Sequence, residues 1–138
     1  MGKAVEVYLH VRQGEDLFHT MTFAYSDLSN DGALTEHDYD DNDFVLVVET
    51  TRGGEDVAVV SVDNVGISTG QSWTTLLPGN SEPTEFTHAI LIHIPNSVTA
   101  DITPGVYDLT LIRTPPGGAV DKSVLGTLTV TAGGEVDV

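Results

Sequence analysis

The residues with the most specific chemical spacing run from Asp27 to Asp38. Side chains that carry oxygen fall at positions 1, 3, 5, 9 and 12 of this stretch, with glycine at position 6, as in an EF-hand calcium loop. Position 12 is an aspartate instead of the longer bidentate glutamate, and no amphipathic helix flanks the stretch. Asn30-Asp31-Gly32 also suits a turn with positive φ between two strands. We therefore expect an acidic turn here, with calcium binding as the alternative.

Gly66-Ile67-Ser68-Thr69-Gly70 has the Gly-x-Ser-x-Gly pattern of a hydrolase nucleophile elbow. An elbow needs a helix directly after the serine, whereas Gln71 to Thr75 has neither a helix cap nor a helical apolar stripe. The acidic and histidine residues that follow in the order required for a triad are Glu82, Glu85, His88 and His93. The chain is also short for an α/β-hydrolase sheet. We expect a loop here, no catalytic residue and no enzyme.

The histidines do not predict a metal site. His88 and His93 are five residues apart, an odd separation, so their side chains should leave opposite faces of a strand. We expect His88 to be a satisfied, partly buried side chain. The apolar residues expected on its face are Phe86, Ile90 and Ile92. The predicted sets of metal ligands and cofactor-binding residues are therefore empty.

The lone tryptophan, Trp73, is predicted to lie in an irregular segment bounded by Gly70 and Pro78-Gly79. If exposed, its ring would suit a platform for a sugar or a hot spot in a protein interface. Tyr25 and Tyr107 are expected to pack in the core. The sequence leaves both alternatives open for Trp73.

Alternating apolar and polar residues predict the elements that hold these side chains, and they predict an all-β fold. The predicted strands are Val5 to Arg12, Leu17 to Tyr25, Phe44 to Thr50, Asp56 to Val62, Val65 to Ser68, Trp73 to Leu77, Phe86 to Ile94, 106 to 114 and 123 to 131. A helical turn is predicted only around Leu34 to Tyr39. Seven to nine strands at regular spacing favour a β-sandwich formed as one domain over residues 1–138, with a flexible tail at 132–138.

The last two predicted strands have the clearest pattern. Pro104-Gly105 opens a strand in which Tyr107, Leu109 and Leu111 share one face. The linker Thr114-Pro115-Pro116-Gly117-Gly118 cannot continue a sheet, because proline lacks a donor and glycine favours reversals. We therefore predict a terminal hairpin.

Composition and charge restrict the partners. Five basic against 21 acidic residues give a net charge of −16, which repels phosphate backbones and anionic membranes. This charge suits solubility, a saline environment or docking to a basic partner. The absence of cysteine excludes disulfides and zinc–thiolate sites. The apolar runs are short, so we expect no membrane span and no export signal.

Two stretches resemble the immunoglobulin-like N-terminal domain of baseplate upper proteins of tailed bacteriophages. The first comprises Arg12-Gln13-Gly14-Glu15-Asp16, the strand Phe18 to Phe23 and the acidic turn Asp27 to Gly32. The second comprises Pro104-Gly105-Val106-Tyr107-Asp108-Leu109 and Leu125-Gly126-Thr127-Leu128-Thr129-Val130. Together they cover about half of the chain. The resemblance implies an immunoglobulin-like antiparallel sandwich.

For function, the resemblance implies a non-enzymatic structural protein of a virion, placed in the tail, baseplate, neck or capsid decoration. Its implied partners are other virion proteins and further copies of itself in a symmetric assembly, after synthesis in the host cytoplasm. Ala4 to Arg12 and Val124 to Thr131 are expected to pair with each other or with a neighbouring sheet edge. The alternatives are a calcium-dependent or carbohydrate-binding β-sandwich module and, last, a small hydrolase built on Ser68.

Overall fold

The computed structural model describes residues 5–27, 33–62, 66–77 and 79–133, and this part of the chain is almost entirely β-structure. Its strands are β1 Val5–Arg12, β2 Leu17–Met21, β3 Ala24–Asp27, β4 Ala33–Glu36, β5 Asp43–Glu49, β6 Asp56–Ser61, β7 Ile67–Thr75, β8 Thr84–Ile94, β9 Gly105–Thr114 and β10 Asp121–Thr131. The single helix in this part, α1 Asn96–Thr99, has four residues. No helix among the described residues therefore has the length or apolar character to cross a bilayer.

The strands form two larger sheets and a separate hairpin. The five-stranded sheet has the order β1-β10-β9-β5-β6, and the three-stranded sheet has the order β2-β8-β7. The strands β3 and β4 pair only with each other in the described residues. All pairs are antiparallel except β1 with β10, so the prediction of an all-β sandwich is confirmed.

The core lies between the inner faces of the two larger sheets. Leu46 and Leu111 are paired across β5 and β9, and both are at most 3% exposed. The three-stranded sheet contributes Ile90, Ile92 and Ile94 from β8, each at most 1% exposed. Alternation along the strands brings these side chains to the shared interior, and burial of each stabilises the fold by about 1.5–3 kcal/mol.

The first and last strands close the five-stranded sheet. Val5 to Arg12 pairs in parallel with Val124 to Thr131 without a register shift. Gly126 lies opposite Val7, and a Cβ on Gly126 would come 1.8 Å from the carbonyl oxygen of Val7. Glycine therefore allows the two backbones to approach closely. The expected pairing of the terminal strands is confirmed.

The terminal hairpin is confirmed as well. The strands β9 and β10 pair in antiparallel register from Arg113 with Asp121 to Gly105 with Val130. Leu109 and Leu111 are buried and Tyr107 packs against the same core, as the alternation predicts. The Thr51 to Glu55 connection likewise joins the antiparallel strands β5 and β6.

Four predicted elements are wrong in type or bounds. The segment Leu17 to Tyr25 is two strands in different sheets, because the chain leaves β8 after Met21 and begins pairing with β4 at Ala24. Leu34 to Tyr39 contains no helical turn, because residues 33–36 pair with β3 as strand β4. The two short strands predicted at Val65 to Ser68 and Trp73 to Leu77 are replaced by one strand, Ile67–Thr75. This strand pairs with β8, and the pairing contains two register shifts. These irregularities hide the period of two in the sequence.

Candidate functional site

The loop between β4 and β5 brings carboxylates to the three-stranded sheet. This loop and its flanks contain Glu36, Asp38, Asp40, Asp41 and Asp43. Hydrogen bonds fix the loop at two points. The amide of His37 donates to the carbonyl of Phe23 at 2.7 Å, and the hydroxyl of Thr69 on β7 donates to the carbonyl of Asp40 at 3.1 Å.

Two aspartates of the loop converge on one histidine of β8. Nδ1 of His88 lies 2.9 Å from Oδ2 of Asp40 and 3.5 Å from Oδ1 of Asp38. The amide of Asp40 also donates to Oδ1 of Asp38 at 3.1 Å, which orients that carboxylate. The three side chains are 32%, 35% and 65% exposed for His88, Asp40 and Asp38, so the cluster opens to solvent on one side.

Glu36 fixes the backbone beneath this histidine. Its Oε2 accepts hydrogen bonds from the amide of His88 at 2.9 Å and from the hydroxyl of Thr22 at 2.7 Å, and its Oε1 accepts one from the amide of Thr87 at 3.0 Å. Burial raises the pKa of Glu36, but the hydrogen bonds from Thr22, Thr87 and His88 outweigh it and hold that pKa below its ordinary value. A charged carboxylate thus fixes the position of His88.

The cluster also sets the charge of the imidazole. The hydrogen bond with Asp40 raises the pKa of His88 above its ordinary value, desolvation opposes this, and the charges of Asp40, Asp38 and Glu36 add to the rise. Oδ1 of Asp40 is buried and has no hydrogen-bond partner among the described residues. A positive charge at Nδ1 is therefore favoured. Oδ1 of Asp40, close to it, can still accept a hydrogen bond.

A second histidine–carboxylate pair ties three segments together. Nε2 of His93 lies 2.9 Å from Oδ1 of Asp16, which also accepts a hydrogen bond from the amide of Asn96 at 2.9 Å. The ring of His93 stacks on Phe18 with centroids 4.4 Å apart. The hydrogen bond with His93 lowers the pKa of Asp16, and the Asn96 amide lowers it further. No other carboxylate bonds with His93 in the described residues, so this pair is a structural clamp.

The histidines therefore do not converge on one another. His88 and His93 bond with different carboxylates, as their odd separation predicts. His10 bonds with Thr131, and His37 stacks on Tyr39 with centroids 5.0 Å apart. His88 is half-buried and hydrogen-bonded, as expected, but the sequence did not identify its two aspartate partners. These are 48 and 50 positions away in the sequence, and only the packing of the β4–β5 loop reveals them.

The calcium spacing from Asp27 to Asp38 does not form one loop. Asp27 pairs with Ala33 at one end of the β3–β4 hairpin, whereas Ala24 pairs with Glu36 at the other. Asp38 lies beyond this second end, which is roughly 10 Å along the strand from the level of Asp27 at about 3.3 Å per residue. The described backbone on either side of residues 28–32 is thus a pair of antiparallel strands. Residues 28–32, and with them Asp31, lie outside the described part of the chain.

The Gly-x-Ser-x-Gly stretch has a structural explanation. Ser68 lies within β7 opposite Leu91, and more strand follows it where an elbow needs a helix. A Cβ on Gly66 would lie 2.4 Å from Cβ of Val60, and Gly70 has a φ of +66°. Close packing and backbone conformation thus require these glycines. Ser68 has no hydrogen bond with a histidine in the described residues.

The predicted aromatic residues divide between core and surface. Trp73 lies in strand β7, not in an irregular segment, and its half-buried ring lies 5.9 Å from buried Phe86. Tyr107 packs on the core and its hydroxyl donates to the carbonyl of Thr103. The side chain of Tyr25 lies outside the part of the chain that the structure describes. Tyr8, on the edge strand β1, is 72% exposed, which the sequence pattern did not mark.

The side of the five-stranded sheet that points away from the core carries further apolar side chains. We call it the outer face; its apolar members include Tyr8, Val45, Val47, Val59, Val106, Ile112 and Leu125. A shallow depression of about 140 Å³ on this face is lined in part by Val47, Ile112, Arg52 and Lys122. Arg52 crosses the face and donates to the carbonyl of Leu109 at 2.8 Å. This surface combines apolar area with charges of both signs, since Glu49 also lines the depression and Asp108 accepts a hydrogen bond from the amide of Arg52.

Comparison with known proteins gives weak structural likeness and no family. No family model matches the chain, and no curated protein matches it. One similar solved chain comes from work on host recognition and biofilm formation by aggregative adherence fimbriae of enteroaggregative Escherichia coli. It is 12% identical, the alignment covers 94% of this chain and 95% of that chain, and the TM-score is 0.37.

Proposed function

We propose that the protein is a non-enzymatic structural component of a phage-like virion that works through protein–protein contacts of its outer face. The observation that supports assembly is the exposure of Tyr8, Val106 and Val59, which are 72%, 64% and 44% exposed on one side of one sheet. Exposed apolar side chains grouped on one face are typical of interaction sites. The virion context rests on the sequence resemblance to the baseplate module.

One edge of the same sheet extends this surface. In the described residues, β1 pairs on one side only, so its other side offers main-chain donors and acceptors. Such edges bind further strands unless a protein covers or blocks them. A symmetric assembly that covers β1 would bury Tyr8 together with the free edge.

Charge makes this assembly dependent on salt. A net charge of −16 makes two copies repel each other at low ionic strength. Three of the four described lysine and arginine residues, Arg12, Arg52 and Lys122, lie on the outer face. The carboxylates of Glu6, Glu49 and Asp108 lie on the same face, so charges of both signs are mixed there. Salt that screens the remaining charge should promote self-association.

The test is the solution mass of the full chain, measured by light scattering at low and high salt over a range of concentrations. We expect a discrete oligomer that is favoured by high salt. The combined variant Tyr8→Glu and Val106→Glu should weaken association by about tenfold or more, because it places carboxylates in the contact. Leu76→Glu is the matched control, since Leu76 is 60% exposed just beyond β7 and outside the five-stranded sheet.

The outcomes separate the parts of the proposal. A monomer under every condition rejects the homo-oligomer, and equal loss with Leu76→Glu rejects the outer face as the contact. Co-sedimentation with other structural proteins of its particle tests the virion role directly. If the chain joins no such particle, the virion role is wrong even when the chain self-associates.

A second candidate function is a cation-dependent or carbohydrate-binding module. The observation that favours it is the convergence of Asp38, Asp40 and His88. The sugar-binding form has less support, because the ring of Trp73 is half-buried beside Phe86 and offers only part of its area for stacking.

A further inference from the structure

We infer that Asp38, Asp40 and His88 form a binding site for one divalent transition-metal ion, with Zn²⁺ as the best match. One ligand atom from each residue lies within 4.8 Å of the other two. The distances from Nδ1 of His88 to the two carboxylate oxygens are 2.9 and 3.5 Å. This site does not involve the outer face, and it goes beyond the proposed assembly function.

The distances match the spacing of ligands around a small ion. With metal–ligand bonds of about 2.0–2.2 Å, ligand atoms of a tetrahedral ion lie about 3.3–3.6 Å apart, and adjacent ligands of an octahedral ion lie about 3 Å apart. Both measured separations fall close to these values. An ion can therefore enter after small side-chain rotations, with solvent completing its coordination from the open side of the cluster.

The donor set selects the class of metal. One imidazole nitrogen with two carboxylate oxygens is a mixed set typical of zinc and other first-row transition ions. Calcium prefers about six to eight oxygen ligands, and magnesium keeps an all-oxygen shell that includes water. One of the three ligand atoms is an imidazole nitrogen, Nδ1 of His88, so the cluster does not match the oxygen shells that these two ions prefer.

The ligands are held by a supporting shell. Thr69 fixes the main chain of Asp40, the amide of Asp40 orients the carboxylate of Asp38, and Glu36 fixes the amide of His88. Outer contacts of this kind orient metal ligands and raise affinity. The site thus requires the convergence of the β4–β5 loop, β7 and β8, all of which the core already positions.

Lysine and arginine do not neutralise the two carboxylates of this cluster. Neither Asp38 nor Asp40 forms an ion pair with lysine or arginine in the described residues. A bound ion would take the place of any proton at Nδ1 of His88. Oδ1 of Asp40 is buried with no hydrogen-bond partner, which independently marks this carboxylate as under-satisfied.

The experiment uses the full chain after treatment with a chelator, titrated separately with Zn²⁺ and Ca²⁺ by calorimetry. We expect one Zn²⁺ per chain, a higher melting temperature with Zn²⁺, and no comparable effect of Ca²⁺. Asp40→Asn and His88→Gln should each weaken Zn²⁺ binding by about tenfold to a hundredfold or more. Circular dichroism establishes that each variant is folded.

Two controls make the result specific. Asp41→Asn removes a neighbouring carboxylate without touching the ligands, and His93→Gln breaks the other histidine–aspartate pair, which has the same 2.9 Å separation. Both should leave Zn²⁺ affinity within about twofold. Absence of stoichiometric Zn²⁺ binding overturns the site, as does equal weakening by the controls. Preference for Ca²⁺ overturns the metal class. If His88→Gln does not fold, Asp38→Asn and the absorption spectrum of bound Co²⁺ test the same ligands.

Discussion

Replacing Gly126 with alanine should separate the two terminal strands of the chain. Gly126 is buried in β10, and a Cβ there would lie 1.8 Å from the carbonyl oxygen and 2.8 Å from the carbonyl carbon of Val7. Ordinary contacts begin at 3.4 Å, so β1 would have to move by about 1.6 Å, the difference between 3.4 and 1.8 Å. Both obstructing atoms are backbone, and no side-chain rotation can relieve the overlap.

The size of the effect follows from what β1 contributes. Among the described strands, β1 pairs only with β10, and it adds Val11, 4% exposed, and the half-buried Val7 and Leu9 to the core. Overpacking of this kind costs about 1–3 kcal/mol of the free energy of unfolding. At roughly 4 °C per kcal/mol for a chain of this length, the melting temperature should fall by roughly 4–12 °C.

The matched control is Gly105→Ala in β9. A Cβ on Gly105 would lie 3.8 Å from the nearest atoms of Tyr107, and its backbone is not in the left-handed region. Its free energy of unfolding should change by less than about 1 kcal/mol. Thermal and urea unfolding followed by circular dichroism measures both variants, and amide hydrogen exchange should show loss of protection in β1. A melting temperature of Gly126→Ala within about 2 °C of the parent would refute the reasoning.

Three further predictions concern the clamp, the core and the end of the sheet. Asp16→Asn should lower stability at neutral pH, because the hydrogen bond with His93 depresses the pKa of Asp16 in the folded state. The stability that Asp16 contributes is present above its unfolded pKa and is lost as the pH falls through its folded pKa. The urea midpoints of the parent and the variant should therefore converge at acid pH. Phe44→Ala should cost about 3–5 kcal/mol in urea unfolding, since Phe44 is 0% exposed, and a loss below about 1 kcal/mol would contradict its place in the core. Arg113→Met should cost about 1–3 kcal/mol, because the buried amide of Asn42 loses its 2.8 Å hydrogen bond; an unchanged urea midpoint would show that this bond is replaced.

Local chemistry in the sequence was sufficient for much of the sheet. The glycine-rich connection at Thr51 to Glu55 and the prolines and glycines between β9 and β10 fix reversals over short distances, so both hairpins were predictable. The pairing of β1 with β10 was also expected, because both segments have the alternation of a strand and an unpaired strand edge binds a further strand. What the sequence does not contain is a local cue for the parallel orientation of that pair, which depends on where the intervening strands place the two ends.

The errors arise where tertiary contacts override the local pattern. Gly70 and two register shifts interrupt the alternation of β7, so one strand looked like two with a loop between them. The spacing from Asp27 to Asp38 resembles a calcium loop only when position along the chain is counted, because the hairpin separates its ends in space. Asp38 and Asp40 could have been noted as an Asp-x-Asp pair, yet nothing local connects them with His88.

The two proposals can be tested independently because they use different parts of the molecule. The outer face belongs to the five-stranded sheet, whereas the proposed metal ligands lie on β8 of the three-stranded sheet and on the β4–β5 loop. Tyr8→Glu should therefore leave Zn²⁺ affinity within about twofold, and His88→Gln should leave the solution mass unchanged, since sites that share no contacts act additively. If His88→Gln also abolishes the oligomer, the metal site must lie at or beside the assembly contact, and the outer face would then be the wrong surface.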